Sequence, residues 1–299
     1  MKVQFIAGVA LALSVASPAL AARLTDKPLV DTSWLKARLG AKDLVVIDVR
    51  DPAKAYAAGH IPGAVSAPYV AYGWRQTIDG VPGELPPVKK IAAKIGALGV
   101  GDDTQVVIVS QGSNSSEFGK ATRVYWTFKV LGHKAVTILD GGENAWKAAG
   151  EPIASGVVKP VAASFAPHFQ PQYIATTAQV KAAIGSSTKL VDARPVSQYD
   201  GRVKAPVDRV PGTIPTAVNL PQSHFYHNGF VSSATVEKME NAAGLKKDQP
   251  KITFCNTGHW ASIAWFGLSQ VDGEKHVAMY DGSMSQWTQN PSRPVVVKN

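Results

Sequence analysis

The sequence of 299 residues contains a single cysteine, Cys255. One cysteine excludes an intrachain disulfide, and it excludes zinc or iron–sulfur sites that need four cysteines. Charged residues make up only 18% of the chain and hydrophobic residues 45%, which excludes wholesale disorder. The lone thiol is therefore either a buried inert residue or a reactive one, and its count alone leaves both interpretations open.

The sequence also lacks clustered positive charge, although its formal net charge is +9. The longest runs of basic residues are two pairs, Lys89-Lys90 and Lys246-Lys247. Binding of nucleic acid would require a basic patch together with a recognition motif, so we expect no nucleic-acid partner. The positive field of the chain would attract small anions.

Residues 1–22 have the pattern of a secretory signal peptide. Lys2 precedes an apolar stretch over residues 3–15, and Ser17-Pro18 separates that stretch from the small-residue sequence Ala19-Leu20-Ala21. The apolar stretch is too short to span a bilayer comfortably. We therefore predict a bacterial periplasmic protein with no membrane attachment after cleavage, in a compartment where an unpaired thiol is unusual.

The remaining chain contains an internal repeat. Residues 44–67 and 190–218 both contain an apolar stretch ending in Asp-x-Arg, then a tyrosine, Gly-x-Ile-Pro and Ala-Val. Residues 135–146 and 276–287 both run from an apolar stretch through Asp-Gly to a tryptophan. Two copies are therefore predicted, at residues 23–153 and 173–299, joined by a proline-containing linker at residues 154–172.

Each copy alternates short apolar stretches with helical patterns. Strands are predicted at residues 106–109 and 252–254, and helices at residues 88–98, 117–131, 176–184 and 234–243. Alternation of this kind predicts an α/β fold in which a mostly parallel sheet carries helices on both faces.

The surroundings of Cys255 favour a reactive thiol. A predicted buried strand ends immediately before it, and a helix is predicted to begin near Ala261. Ligand sites in open α/β sheets lie at this end of the strands. Gly258 permits an unusual backbone angle, and loop N–H groups together with a helix N-terminus would favour the thiolate. The alternative is a small apolar residue that ends a buried strand.

Several motifs together resemble the tandem-domain members of the rhodanese (sulfurtransferase) family over essentially the whole mature chain. They are Asp48-Val49-Arg50, Gly59-His60-Ile61-Pro62-Gly63-Ala64, Asp140-Gly141-Gly142 with Trp146, the loop from Cys255 to Trp260, and Tyr280-Asp281-Gly282-Ser283 with Trp287. The resemblance implies two tandem rhodanese-like domains, of which only the second is catalytic. In the first copy, Ser110 or Gln111 stands at the position of Cys255.

The resemblance also implies a reaction. The Cys255 thiolate would take sulfur from a donor of the thiosulfate or 3-mercaptopyruvate class, and the resulting persulfide would pass it to cyanide or a thiol, including a thiol protein. The persulfide would be held by the loop residues Asn256, Thr257, Gly258, His259, Trp260 and Ala261. We expect no cofactor and no metal.

Three other functions are weighed against turnover of small substrates. The first is a sulfur carrier that uses the same cysteine to deliver sulfur to a protein partner. A phosphatase or arsenate reductase with the pattern Cys-x5-Arg is disfavoured, because Ala261 stands where the arginine is required. A purely structural tandem domain would require an inaccessible Cys255.

The sequence departs from the family at residues that would contact the substrate. His259-Trp260 ends the loop where basic or hydroxyl residues are typical, and Gln198 stands where an arginine is typical. Trp260 suggests a bulky or weakly charged substrate, and three roles are open for His259: neutral hydrogen-bond donor, cation or proton source. Further candidate contacts are Arg202, Gln198, Arg75 and His224.

Two residue pairs are given structural interpretations. Asp192 and Arg194 are expected to brace the second copy, because Asp48 and Arg50 occupy the same places in the first. His224 and His227 lack a third metal ligand nearby, so a loop that lines the cleft between the copies is favoured over a metal site.

Overall fold

The computed structural model describes residues 24–298, so the predicted signal peptide lies outside the described residues. The strands of the first copy are β1 (Leu29–Val30), β2 (Leu44–Asp48), β3 (Val65–Ser66), β4 (Gln76–Ile78), β5 (Val81–Glu84), β6 (Gln105–Val109) and β7 (Val136–Leu139). Its helices are α1 (Thr32–Lys36), α2 (Ala53–Ala58), α3 (Val88–Ala97), α4 (Ser115–Val130) and α5 (Gly142–Ala148).

The second copy repeats the pattern with fewer strands. Its strands are β8 (Lys189–Asp192), β9 (Val218–Asn219), β10 (Lys251–Phe254) and β11 (Val277–Met279). Its α-helices are α6 (Thr177–Ala183), α7 (Val196–Tyr199), α8 (Ser233–Ala242), α9 (His259–Trp265) and α10 (Ser283–Trp287). Two 3-10 turns lie at Pro171–Tyr173 and Gln222–Phe225, and a π-helix (Phe266–Val271) continues α9.

Both main sheets are parallel, as the alternating pattern predicts. The first has the strand order β1-β7-β6-β2-β3 and the second β11-β10-β8-β9, while β4 and β5 form a separate antiparallel hairpin. All residues of β6 and β10 are buried, because helices cover both faces of each sheet. The predicted α/β architecture is therefore confirmed.

The registers of the two sheets identify equivalent positions. Asp48 lies opposite Val109 in the first sheet, and Asp192 lies opposite Phe254 in the second. The next residues are Ser110 and Cys255, and each carbonyl accepts an N–H from the start of a following helix, Glu143 at 2.9 Å and Met284 at 3.0 Å. Ser110, rather than Gln111, is therefore the counterpart of Cys255.

Buried Asp-x-Arg pairs brace both copies, as predicted. Arg50 binds Asp48 at 2.6 Å and the Gly59 carbonyl at 2.7 Å. Arg194 makes the same contacts with Asp192 at 2.6 Å and with the Gly212 carbonyl at 2.8 Å. Each pair ties a strand end to the loop that carries the Gly-x-Ile-Pro sequence.

The two copies share one apolar core where α4 packs against α9. Phe118 and Val124 of α4 lie in the same buried cluster as Ile263 and Trp265. Polar contacts reinforce the packing, such as the 2.8 Å hydrogen bond between the hydroxyls of Thr122 and Ser262. The copies are thus joined through helices that follow equivalent strands.

Two aspartates connect the copies in a reciprocal way. Asp140 of the first copy accepts the Phe230 N–H at 2.8 Å, and Asp281 of the second accepts the Leu85 N–H at 2.7 Å. Both belong to the repeated Asp-Gly sequence. The repeat therefore builds the contact between the copies as well as the copies themselves.

The predicted linker contains neither helix nor strand between residues 155 and 170. Its backbone is bound to the first copy, since the N–H groups of Ala163 and His168 donate to the carbonyls of Gly96 and Leu131 at 2.9 and 2.8 Å. The boundaries at 23–153, 154–172 and 173–299 remain predictions. Among residues 24–298, no helix combines the length and apolar character needed to cross a bilayer.

Candidate active site

Cys255 lies immediately after β10 and is 1% exposed. Its N–H donates to the Ser283 hydroxyl at 3.1 Å, and the Gly258 N–H donates to the same oxygen at 3.1 Å. The Ser283 hydroxyl in turn donates to the Tyr280 carbonyl at 2.8 Å. One side chain thus ties both ends of the loop from Cys255 to Gly258.

Ser283 adopts a backbone conformation that favours glycine. Its φ is +50°, and its counterpart in the first copy is Gly142, with φ +59°. A non-glycine residue in this region is strained by about 1–3 kcal/mol. We interpret the serine as retained for its hydroxyl, because glycine cannot hold the loop amides. The sequence signal for this role is the change from Asp140-Gly141-Gly142 in the first copy to Asp281-Gly282-Ser283 in the second.

A pocket of about 500 Å³ opens beside Cys255, and both copies line it. The second copy contributes Cys255, Asn256, Thr257, His259 and Trp260. The first copy contributes Tyr69, Val70, Arg75, Asn114, Ser116, Glu117 and Lys120. Cys255 is therefore well buried yet faces a cavity, which disfavours the interpretation of an inaccessible cysteine in a purely structural domain.

Arg75 lines the pocket, as the sequence suggested, and it also binds the loop. Its Nε donates to the Gly83 carbonyl at 2.8 Å, its Nη1 to the Tyr69 hydroxyl at 3.3 Å, and its Nη2 to the Thr257 carbonyl. The side chain lies so close to Gly83 that a Cβ at that position would overlap the guanidinium. Trp74, its neighbour, is fully buried in the core.

A second arginine of the first copy contacts the next loop carbonyl. Arg123 of α4 donates to the Gly258 carbonyl at 3.2 Å and forms an ion pair with Asp281 at 2.5 Å. A Cβ on Gly258 would lie 2.4 Å from the Arg123 Nη1. Gly258 therefore meets two requirements, a φ of +74° and this close approach.

The helix after the loop begins at His259, two residues before the predicted start at Ala261. The left-handed conformation of Gly258 turns the chain directly into α9, so the predicted loop residues His259, Trp260 and Ala261 are helical. Ala261 is buried and lies outside the lining of the pocket.

His259 is a neutral hydrogen-bonding group. Its Nε2 lies 2.9 Å from the Ser116 carbonyl, which can only accept, and its Nδ1 lies 2.9 Å from the Tyr69 hydroxyl. Burial, followed by the positive charge of Arg75, lowers the pKa of His259 to about 3. This environment favours the role of neutral hydrogen-bonding group for His259 over those of cation and proton source, because both of the latter require a readily protonated ring.

The Tyr69 hydroxyl stays protonated and donates a hydrogen bond to His259. Burial raises the pKa of Tyr69 and outweighs the opposing effect of the positive charges of Arg75 and Arg123. The Ser116 hydroxyl accepts the Trp260 Nε1–H at 3.0 Å. Ser116 of the first copy thus orients both His259 and Trp260. Trp260 forms a wall of the pocket as predicted.

The remaining candidates differ in their positions. Gln198 accepts the Asn256 Nδ2–H at 2.9 Å and so supports the loop from outside the pocket lining. Arg202 is 66% exposed and pairs with Asp200 at 2.9 Å, because α7 ends at Tyr199 and the chain turns outward into solvent. His224 is also exposed, since the neighbouring Phe225 and Tyr226 are the residues that face the core. Neither Arg202 nor His224 lines the pocket, so both proposed contacts are wrong.

Lys120 is the lining cation that the sequence interpretation missed. It forms ion pairs with Glu117, three residues earlier on α4, and with Asp51 at 3.2 Å. Burial by itself would lower the pKa of Lys120, but the bonds to Glu117 and Asp51 raise it. The available sequence clue was the repeat itself, which places the loop after β6 and the loop after β10 at equivalent sheet edges.

The chain belongs to the rhodanese-like family. The family's rhodanese-like domain matches residues 31–149 and again residues 176–290. The chain is thus a tandem pair of rhodanese-like domains, and Cys255 lies in the second.

Sequence relatives support this membership. The chain is 30% identical over 277 residues to a putative thiosulfate sulfurtransferase of Mycolicibacterium smegmatis, covering 89% of this chain and 96% of that protein. It is 31% identical over 304 residues to the mitochondrial thiosulfate/3-mercaptopyruvate sulfurtransferase 1 of Arabidopsis thaliana, covering 91% of this chain and 78% of that protein.

Solved structures share the fold. The 3-mercaptopyruvate sulfotransferase SseA of Escherichia coli superposes with a TM-score of 0.77 at 25% identity, covering 86% of this chain and 98% of that chain. The anaerobic ergothioneine biosynthesis enzyme of Chlorobium limicola has a TM-score of 0.79 at 20% identity, covering 91% of this chain and 70% of that chain. At that identity, the second likeness concerns the fold alone.

Proposed function

We infer that this chain is a sulfurtransferase that moves a sulfane sulfur from a small donor to a thiophilic acceptor through Cys255. The observation that carries this inference is the position of the only thiol, at the end of a buried strand and facing a cavity. The same thiol belongs to the second of two rhodanese-like domains, and relatives that align with 89% and 91% of this chain are sulfurtransferases by name.

The proposed first step forms a persulfide. The Cys255 thiolate attacks the outer sulfur of a donor such as thiosulfate, the donor's S–S bond breaks, and sulfite leaves with the bonding electron pair. The second step reverses the roles, because cyanide attacks the outer sulfur, thiocyanate leaves and the Cys255 thiolate is restored. No net oxidant or reductant is consumed, and the two half-reactions predict ping-pong kinetics.

The surrounding residues contribute geometry and electrostatics. Ser283 fixes the Cys255 and Gly258 amides, while Arg75 and Arg123 hold the Thr257 and Gly258 carbonyls. Groups fixed before the reaction need not reorganise when negative charge moves onto the outer sulfur.

The test of this function follows the sulfur atom. Purified protein is incubated separately with thiosulfate and with 3-mercaptopyruvate, its intact mass is measured, and cyanide is then added. We expect a gain of one sulfur atom on Cys255 that cyanide removes as thiocyanate. Cys255→Ser should gain none, and Ser110→Ala is the matched control that should behave as the wild type. Absence of any gain, or an equal gain in Cys255→Ser, contradicts the proposed function.

A sulfur carrier for a protein partner is the second candidate, because the cysteine chemistry is the same. The number of thiocyanate molecules formed per protein molecule distinguishes an enzyme from a carrier. An enzyme forms many equivalents of thiocyanate per protein molecule, whereas a carrier that depends on a protein partner forms about one equivalent without that partner.

We propose a periplasmic location on the pattern of residues 1–22. The test is cell fractionation of the full chain against a variant that lacks these residues. Processed protein in the periplasmic fraction supports the proposal. Unprocessed full-length protein in the cytoplasmic fraction contradicts it.

A further inference from the structure

The second copy contains a surface segment that the first copy lacks. In both copies the arginine of the Asp-x-Arg pair donates to a glycine carbonyl, Arg50 to Gly59 and Arg194 to Gly212. The two partners are 9 positions apart in the first copy and 18 in the second. The additional length lies in residues 200–211, which follow α7 and are called the extension below.

The extension brings apolar side chains to the surface. Within residues 173–298, the large apolar residues that are exposed are all valines, and they are Val196, Val203, Val207, Val210 and Val297. Val297 lies against the extension, since a Cβ built on Gly201 would be 3.0 Å from its Cγ2. Exposed apolar side chains that are gathered in one region, rather than scattered singly, are typical of an interaction surface.

A cavity of about 930 Å³ opens beside the extension, and we call it the docking cleft. Its apolar wall includes Val210 and Pro211 of the extension and Val295 and Val297 near the end of the chain. The first copy contributes the turn between β4 and β5. The docking cleft shares no lining residue with the pocket beside Cys255, so it is a separate site.

Positive charge prevails in the docking cleft. Its lining contains two arginines, Arg209 and Arg293, and one carboxylate, Asp79. Arg293 donates to the Gln286 carbonyl at 2.6 Å. Within the described part of the chain, neither arginine forms an ion pair, and the guanidinium of Arg209 forms no hydrogen bond either. Planar guanidinium groups of this kind match the two oxygens of a carboxylate.

The shape of the docking cleft favours a protein segment as its occupant. Small-molecule sites bury most of the surface of their ligand, whereas Arg209, Val210 and Val297 are all exposed. Attachment to a bilayer typically uses the protruding face of a helix with large apolar side chains. This site is concave instead, and its exposed apolar residues are valines on a loop and a chain end.

We propose that the docking cleft binds an extended acidic segment of a partner protein. Carboxylates of that segment contact Arg209 and Arg293, and its apolar side chains pack on Val210 and Val297. Charge complementarity of this kind selects the partner and speeds its association. The proposal does not depend on the sulfur chemistry, because the docking cleft and the pocket of the candidate active site have separate linings.

The first experiment varies the ligand. A short fluorescein-labelled peptide of alternating glutamate and valine is titrated with the full chain, and its anisotropy is recorded at low and high salt. The comparison peptides carry glutamine in place of glutamate or serine in place of valine. The glutamate–valine peptide should bind about tenfold more tightly than either. Its affinity should fall as salt rises, because exposed charges are screened.

The second experiment varies the docking cleft. Arg209→Ala should raise the Kd of the glutamate–valine peptide about fivefold, as expected for loss of one exposed ion pair. Arg202→Ala is the matched control, because Arg202 is an exposed arginine of the same extension but lies outside the cleft lining. Asp79→Asn should lower the Kd, since it removes the opposing charge and asparagine tolerates the φ of +49° at this position.

The results have distinct meanings. Equal binding of the glutamate and glutamine peptides overturns the proposal, as does an unchanged Kd in Arg209→Ala or an equal loss in Arg202→Ala. Absence of saturable binding of the glutamate–valine peptide at low salt overturns it as well.

Two further probes separate this proposal from other functions. Vesicles of phosphatidylcholine and phosphatidylglycerol test a membrane as the occupant, and tighter binding to them than to the peptide overturns the proposal. Cys255→Ser should bind the peptide as the wild type does. Peptide binding therefore stands even if sulfur loading of Cys255 fails, and sulfur loading stands if the peptide does not bind.

Discussion

Cys255 and Ser110 occupy equivalent places, each one residue beyond a strand that pairs with a buried Asp-x-Arg strand. Both are buried, but Cys255 lines the pocket and Ser110 does not. The position on the sheet therefore does not suffice for reactivity. The cavity beside Cys255 is what gives a donor access to the sulfur.

We predict that moving the thiol to the first copy does not move the activity. The variant Ser110→Cys/Cys255→Ser should gain no sulfur from any donor that loads the wild type, because its thiol is buried outside the lining of the pocket. Intact mass after incubation measures this, and thermal unfolding verifies that the variant is folded. A gain of sulfur on position 110 would show that the strand-end position alone is sufficient.

Ser283 provides a second prediction about a single residue. Ser283→Ala should lower kcat for sulfur loading about tenfold, because two buried N–H groups lose their acceptor at a cost of about 1–3 kcal/mol. Ser283→Gly should lose a similar amount of activity but retain a higher Tm than the alanine variant, since φ is +50° here. Equal Tm values for the two variants would contradict the backbone interpretation.

Asp208 makes the stability of the second copy depend on pH. Burial outweighs the attraction of Arg194, 3.5 Å away, and raises the pKa of Asp208 to about 7. Both carboxylate oxygens lack a hydrogen-bond partner within the described residues. The folded state thus prefers the protonated acid. The contribution of Asp208 to the free energy of unfolding is therefore fully present at low pH and is lost as the pH rises from about 4 through about 7.

We predict that Asp208→Asn removes this dependence. The variant should have a higher Tm than the wild type at pH 8, whereas the difference should shrink or reverse at pH 5. Thermal unfolding at both pH values measures the effect. A Tm difference that is the same at pH 5 and pH 8 would contradict the raised pKa.

At the scale of elements, the loop and α9 act as one unit whose shape depends on Gly258. Its carbonyl is held by Arg123 of α4, and its φ of +74° turns the chain into the helix. The catalytic loop is therefore shaped from within by glycine and from outside by the other copy. A single Cβ interferes with both.

We predict that Gly258→Ala destabilises the protein and sharply reduces sulfur loading, since the new Cβ would lie 2.4 Å from Arg123 and 2.7 Å from the Asp281 carbonyl. Gly244→Ala is a matched control, because φ there is +69° and no atom lies within 4 Å of the added Cβ. Both variants incur the backbone cost of about 1–2 kcal/mol. Equal losses of Tm and activity would mean that the Arg123 contact contributes nothing.

At the scale of the whole molecule, the first copy completes the active site. It lines the pocket, orients His259 and Trp260 through Ser116, and holds two loop carbonyls through arginines. The shared core between α4 and α9 would be exposed to water if the copies were separated. We therefore expect the chemistry of the second copy to depend on the first, although the candidate nucleophile belongs to the second copy alone.

We predict that residues 173–299 alone do not load sulfur and self-associate through the exposed face of α9. Co-expression with residues 24–172 should restore a complex of both halves that loads sulfur, because the linker has neither helix nor strand between residues 155 and 170. Gel filtration and intact mass measure these outcomes. A monomeric second half that loads at the wild-type rate would contradict the dependence on the first copy.

The local pattern of the sequence predicted the parts of this protein that depend on neighbours along the chain. An apolar strand, a glycine-containing loop and a helical pattern located Cys255 at a strand end, and the repeat revealed the two copies. The same reasoning placed Arg202 and His224 wrongly in the site, because their orientation depends on which neighbours face the core. It left three roles for His259, since its protonation depends on burial.

The sequence by itself determined the fold of each copy and the place of the candidate nucleophile at a strand end, because hydrophobic periodicity and strand-end position are local properties. The tertiary structure decided what surrounds the nucleophile. Tyr69, Ser116 and Lys120 of the first copy line the same pocket as Cys255 of the second, because the two copies pack against each other. Contacts between copies depend on where each surface lies in space, and spacing along the chain does not encode that.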